Sequence, residues 1–211
     1  MPPSVDVRFS ESDFSVTDIS SDRWSGARPA VLDRSWNGEP ATSGRRCEAR
    51  LLWSDNALHI RFHGAQTEPF VLFDNPDVSR KRIGLWDRDV CEVFITPDPP
   101  DRRRYMEFEV APTGEWLDLV VDWTLDEPRD WEFDSGMAVF SEMEDGSVTM
   151  AIRIPWGAFG RKPSAGDVWF GNLFRQIGSG ETRGYLAWSP TMTPEPQFHV
   201  PEKFGAFVFV R

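Results

Sequence analysis

Val90-Cys91-Glu92-Val93-Phe94-Ile95 and, after a proline-rich break, Tyr105-Met106-Glu107-Phe108-Glu109-Val110 decide how this chain is read. Side chains along a strand alternate between two faces. Cys91, Val93 and Ile95 therefore share one apolar face, as do Met106, Phe108 and Val110. Glu92 falls opposite, with Val90 and Phe94, and Tyr105, Glu107 and Glu109 fall opposite on the second segment. Paired as a hairpin, the two segments make a sheet with one dry face and one acidic, aromatic face on which Glu92, Glu107 and Glu109 meet. Alternation leaves two readings open for that second face: a binding groove, or a solvated exterior.

Outward from this pair, strand-length runs recur between turn signals. Cys47 to Trp53 and Leu58 to Phe62 flank the turn Ser54-Asp55-Asn56-Ala57. Trp116 to Trp123, Met137 to Met143, Val148 to Ile154, Val168 to Ile177, Tyr185 to Trp188 and Phe204 to Val210 follow, punctuated by Pro97-Asp98-Pro99-Pro100-Asp101, Pro112-Thr113-Gly114 and Glu144-Asp145-Gly146. Pro155 to Phe159 reads as a single helical turn opened by proline. About ten strands with short turns, and no sustained helical period, predict an all-β sandwich of two antiparallel sheets. No repeat or linker divides the 211 residues, so one domain over 1–211 is expected, its core from about residue 45 onward.

The chain holds ten Trp and sixteen Phe against two Tyr, more Trp than packing a domain of this size demands, so some are expected on a binding surface. A net charge of −11 sets a repulsive field against polyanions and argues against nucleic acid. The basic runs Arg80-Lys81-Arg82 and Arg102-Arg103-Arg104 read as solvated loop charge. Cys47 and Cys91 both fall in apolar strand patterns and read as buried free thiols. Met1-Pro2-Pro3-Ser4 opens without the basic and apolar segments of a leader, and no run approaches a membrane span. A monomer is expected, either cytoplasmic or exported with its leader removed.

Flat aromatics beside carboxylates suit a sugar, which offers C–H bonds on its ring faces and hydroxyls around its edge. Trp86 stands in the loop Ile83-Gly84-Leu85-Trp86-Asp87, just before the strand carrying Glu92. A second cluster runs from Trp188 through Phe198 and His199, where Pro190, Pro194, Pro196 and Pro201 stiffen the loop and lower the entropy lost on binding. Either aromatic site is equally readable as a loop anchor packed on the core. His59 and His63 would sit about 13 Å apart along a strand, too far for one zinc. Asp74, Asp77, Asp87 and Asp89 lie in loops and are candidate calcium ligands, without EF-hand spacing. Glu92 and Glu109 form the one candidate acid/base pair of a glycosidase. No nucleophile elbow, phosphate loop or zinc-protease motif occurs.

Leu85-Trp86-Asp87-Arg88-Asp89-Val90-Cys91-Glu92-Val93-Phe94-Ile95 resembles the Trp-x-x-Asp-x-x-Glu-x-Phe core of family 9 carbohydrate-binding modules. Arg104 to Val110 with Pro112 and Gly114, Ala151-Ile152-Arg153-Ile154-Pro155-Trp156, and the closing Phe198-His199-Val200-Pro201-Glu202-Lys203-Phe204-Gly205 agree with it in order and spacing. The resemblance covers about Cys47 to Val210. It implies a non-catalytic sandwich that grips a sugar end between two aromatic rings. Trp86 matches the first ring, the second falls at Phe198, and Glu92 matches a glutamate that bonds sugar hydroxyls. An arginine of the family falls at Glu109, which reverses a charge, and Arg175 is the candidate to restore it. Asp89, Trp188 and His199 complete the expected ligand-binding set. The family also implies structural calcium. Related sandwiches bind haem, for which Met192 and His199 would be the candidate axial ligands.

Overall fold

The computed structural model describes residues 2–97 and 101–211. Asp98, Pro99 and Pro100 of the predicted turn lie outside the described residues. Thirteen strands form among the described residues: β1 (Ser4–Phe9), β2 (Ala30–Leu32), β3 (Cys47–Trp53), β4 (Ala57–Ala65), β5 (Val90–Thr96), β6 (Arg104–Val110), β7 (Trp116–Asp122), β8 (Arg129–Asp130), β9 (Ala138–Glu144), β10 (Ser147–Pro155), β11 (Val168–Ile177), β12 (Gly184–Ala187) and β13 (Gly205–Val210). Helical structure among the described residues is limited to short 3₁₀ turns, including Trp156–Phe159 at the predicted place, and no helix is long and apolar enough to cross a membrane.

The all-β class stands, with a different wiring from the expected one. Hydrogen bonds join the strands into one curled sheet in the order β8-β7-β6-β5-β11-β13-β1-β3-β4-β10-β9, with β12 on β11 and β2 on β3, rather than into two separate antiparallel sheets. Nor is the pairing purely antiparallel, since β1 runs parallel to both β13 and β3. This short N-terminal strand bridges the two arms, and its alternation places Val5 and Val7 in the core together with Leu32 of β2. The core therefore begins well before residue 45. β1, β2 and β8 are the strands that local pattern did not reveal.

The sheet folds over so that its arms share one apolar interior. Cys91, Val93 and Ile95 of β5 and Met106, Phe108 and Val110 of β6 face Ile60 and Phe62 of β4 and Met150, Ile152 and Ile154 of β10. Cys47 and Cys91 sit in this interior as free, buried thiols. Large rings fill it: Trp169 meets Phe209 at 5.0 Å and Phe159 at 5.1 Å, both edge-on, the geometry that ring quadrupoles favour. The predicted turn at Ser54 forms, its hydroxyl accepting from the Asn56 and Ala57 amides at 3.2 Å. His59 is buried, stacked on Phe14 and bonded to Asp13, whereas exposed His63 bonds Thr149, so the two do not share a ligand site.

A second apolar cluster covers the other face of β5, β6, β7 and β11. There Val90 and Phe94 join Tyr105, Leu117, Leu119, Val121 and Phe174, under Phe198 and Phe204 from the C-terminal loop. That face is neither dry core nor open exterior, and it carries the site.

Candidate functional site

The β5–β6 register pairs Glu92 with Glu109 and Phe94 with Glu107. This is the hairpin that alternation predicts, so the three glutamates meet on one face. Their cross-strand neighbours are apolar: Phe174 on β11 beside Glu92, and Leu117 and Leu119 on β7 beside Glu109 and Glu107. All three carboxyls are buried, with oxygens within 4.8 Å of one another. Burial, with the charge of Glu107 adding to it, pushes the Glu92 carboxyl up to about 8. Burial likewise lifts Glu107 to about 7, and burial and then the two neighbouring carboxylates hold Glu109 well above the usual range.

Above them opens a cavity of about 470 Å³, within the range of small-ligand sites. Glu92 and Glu107 form part of its floor, with Leu119 and Gln176. Trp86, Trp131 and Tyr185 line it, Phe198 and His199 close one side with Pro196 and Gln197, and Asp87, Arg129 and Arg183 complete it. Trp86 and Trp131 are 6.1 Å apart and inclined at 33°. A third ring between two faces at ordinary contact needs about 7–8 Å, so the two indoles form one continuous aromatic wall rather than an open clamp.

Each wall has a physical anchor. Gly84, at φ 84°, turns the chain into the 3₁₀ turn Leu85–Asp87 that presents Trp86. The Arg183 guanidinium then ties that turn down, donating to the carbonyls of Trp86, Asp87, Arg88 and Gly178 and to Gln176 Oε1. Gln176 in turn donates to Glu92 Oε1 at 2.6 Å, so the Trp86 loop and the Glu92 carboxyl are held by one network. Trp131 is placed from the other side. The Lys81 ammonium donates to the carbonyls of Asp118, Trp131 and Phe133 and pairs with Asp118 Oδ1 at 2.7 Å. His199 stacks on Phe94 at 5.1 Å and shares a 2.8 Å hydrogen bond with the Tyr105 hydroxyl. Burial, then the charge of Arg129, lowers it to about 4, so it is neutral at pH 7.

Of the residues expected to bind ligand, the structure brings Trp86, Glu92, Phe198 and His199 to the cavity and puts Glu109 directly beneath it. The remaining three lie elsewhere. Arg175 pairs across the ladder with Cys91, not Glu92, so the period of two turns it into the core side, where it bonds the carbonyls of Arg45 and Ala65 and Gln66 Oε1. It therefore does not replace the family's arginine at Glu109. Asp89 is 2 % exposed and accepts from Gln66, Val71 and Gly178, a loop-pinning role. Trp188 stacks on Phe207 at 5.6 Å, against the main core. Phe198 reaches the cavity only at its edge, since its face lies on Phe174 at 4.0 Å and 10°. Gln176, one residue from Arg175, was reachable by alternation. Trp131 and Arg183 come from connecting segments and Arg129 from the two-residue β8, none with a local signal, while Tyr185 lies on β12, a strand the sequence predicts without marking its ring as a site residue.

The candidate calcium ligands do not gather. Among the described residues, Glu92, Glu107 and Glu109 are the one group of acidic, His or Cys side chains close enough for a single ion. Calcium asks for six to eight oxygens, and apolar side chains ring this trio, so the trio does not fit a structural calcium. Met192 lies against Gly38 and does not line the cavity with His199, so the haem pair does not form.

The family model for carbohydrate family 9 binding domain-like proteins matches residues 18–211. The chain belongs to that family. Among solved structures, the fold of this family 9 chain is similar to a protein from Bacteroides uniformis provisionally described as carbohydrate-binding (TM-score 0.79, 19 % identity, covering 99 % of this chain and 100 % of the other). It is also similar to a family 9 module from Caldicellulosiruptor kristjanssonii in complex with cellotriose (TM-score 0.70, 13 % identity, 99 % and 94 % covered). A structure of such a module from that organism with glucose gives a TM-score of 0.70 at 14 % identity, with 99 % and 97 % covered. No curated protein matches the chain significantly.

The buried acids give this family 9 chain a predictable pH response. Each glutamate keeps its proton in the folded state at pH values where the unfolded chain, with carboxyls near 4.3, has released it. Their contribution is therefore full at low pH and is lost as pH rises through the folded values of about 7 for Glu107 and about 8 for Glu92. His199 and His59, both lowered to about 4, act oppositely, but only up to the unfolded histidine value of about 6.5. Tm should thus fall between about pH 6.5 and 8, and fall less in Glu109→Gln. A flat or rising Tm across that interval would contradict the assignment.

Proposed function

We propose that this chain is a non-catalytic module that binds a saccharide in the cavity over β5, β6 and β7. The observation that carries the reading is the convergence of an indole wall, Trp86 and Trp131, with the Glu92 and Glu107 carboxyls and Gln176 in one cavity. A sugar laid on the indoles turns its C–H faces to apolar rings and its hydroxyls to the floor. Family membership supports this, as do the cellotriose and glucose bound by modules of similar fold. The module works as a monomer, with neither nucleic acid nor membrane as partner.

The glycosidase alternative is less well served by the geometry. Such pairs need roughly 5–9.5 Å between carboxyls with access to the glycosidic bond. Glu109 has no exposed surface and so no such access.

Calorimetric titration with glucose and cellotriose tests the proposal. Trp86→Ala should weaken binding at least tenfold, about 1.4 kcal/mol, and Trp131→Ala similarly. Trp86 is only partly buried, so its stability cost should stay near the ~1 kcal/mol common for point substitutions. Undiminished affinity in both variants would overturn the site.

A further inference from the structure

Buried carboxyls are normally paired with a cation or fully hydrogen-bonded. The trio beneath the cavity is neither. Among the described residues no Lys or Arg forms an ion pair with Glu92, Glu107 or Glu109, and the one nearby base is His199, 3.9 Å from Glu107. Both Glu109 oxygens and Glu107 Oε2 are buried and accept from no donor outside the trio, the Glu107 and Glu109 carboxyls having only each other within hydrogen-bonding reach. The cations on the cavity are committed or peripheral: Arg183 is spent on backbone carbonyls and Gln176, and Arg129 is exposed at the rim.

We propose that the ligand is an amino sugar, a saccharide whose ammonium group seats on the Glu92 and Glu107 carboxyls, with Glu109 directly beneath them. The proposal rests on the saccharide-binding reading and specifies its substrate class. An ammonium offers three N–H donors to the two carboxyls that line the cavity, and its positive charge lies within reach of the third. A divalent ion would need more oxygens than this apolar-ringed trio supplies. A neutral hydroxyl in the same place brings one donor and no charge. The indole wall suits the rest of the ring and adds a cation–π contribution beside the charge. The raised carboxyl values fit this arrangement, because an arriving ammonium would displace protons that the empty trio holds. Asp87 adds negative charge at the rim, while Arg129 and Arg183 oppose it.

The test is calorimetry on the full chain at pH 7 with the β-1,4-linked disaccharide of glucosamine, its N-acetylated counterpart and cellobiose. The expected result is at least tenfold tighter binding of the free-amine sugar, with net proton release seen as a dependence of the heat on buffer ionisation enthalpy, and no change on adding EDTA. Glu109→Gln and, independently, Glu107→Gln should cut the amine preference several-fold. Equal affinity for all three sugars would overturn this inference and leave the saccharide reading standing. Binding that requires calcium would overturn it in favour of a metal. Failure of every sugar to bind would overturn both.

Discussion

Asp118→Ala should destabilise the fold by about 3–5 kcal/mol, the loss typical when one member of a buried ion pair is removed. Asp118 is fully buried; its Oδ1 lies 2.7 Å from the Lys81 ammonium and its Oδ2 accepts the Ser135 amide at 2.8 Å. Alanine leaves Lys81 with backbone carbonyls alone and Ser135 without its acceptor. For a chain of this size each kcal/mol moves Tm by roughly 2–4 °C, so a fall of at least ~6 °C is expected by differential scanning calorimetry. Saccharide affinity should fall as well, because the same ammonium holds the Trp131 and Phe133 carbonyls and so sets the indole wall. Asp118→Asn keeps an acceptor for Ser135 and should lose less. A variant with unchanged Tm would show that Lys81 and Asp118 do not hold the 131–135 segment.

Phe198→Ala should cost about 3–5 kcal/mol of stability, the range for emptying a buried aromatic site. Its ring is 7 % exposed, stacked on Phe174 at 4.0 Å and edge-on to Tyr185 at 6.2 Å. It closes the apolar layer between the C-terminal loop and β11, and its removal opens Phe174 to water. Phe198→Leu, which keeps most of the volume, should recover much of the loss in urea unfolding. If instead Phe198→Ala abolished sugar binding at unchanged stability, the ring would be a ligand platform and the packing role assigned to it would fail. Trp86→Ala is expected to behave in the reverse way, with affinity lost and stability largely kept.

The contrast between these two aromatics shows what local sequence conveys. Both fall where the sequence resemblance expects a clamping ring, and both sit in loops with good reasons to be rigid. Trp86 follows a glycine in left-handed conformation and is tied down by Arg183, a residue far along the chain. Phe198 meets Phe174 of β11 and loses its exposed face. Nothing within either loop distinguishes the two outcomes, because each depends on a partner distant in sequence.

Local alternation suffices for the all-β class and, once the β5 and β6 segments pair, for the meeting of Glu92, Glu107 and Glu109 on one face; that Glu92 stands opposite Glu109 is a matter of the observed register. The class and the shared face follow from a side-chain period of two and the turns that bound it, which are local properties of the chain. Alternation also determined that Cys47 and Cys91 are buried, for the same reason. Only the tertiary structure decided that the thirteen strands close into one curled sheet, because the parallel contacts of β1 with β13 and β3 join segments from opposite ends of the chain. It alone decided that Trp131 rather than Phe198 extends the aromatic wall of Trp86, and that Arg175 serves the core while Arg183 lines the cavity. Side-chain partners across a sheet are chosen by folding over long separations, and no local period encodes them.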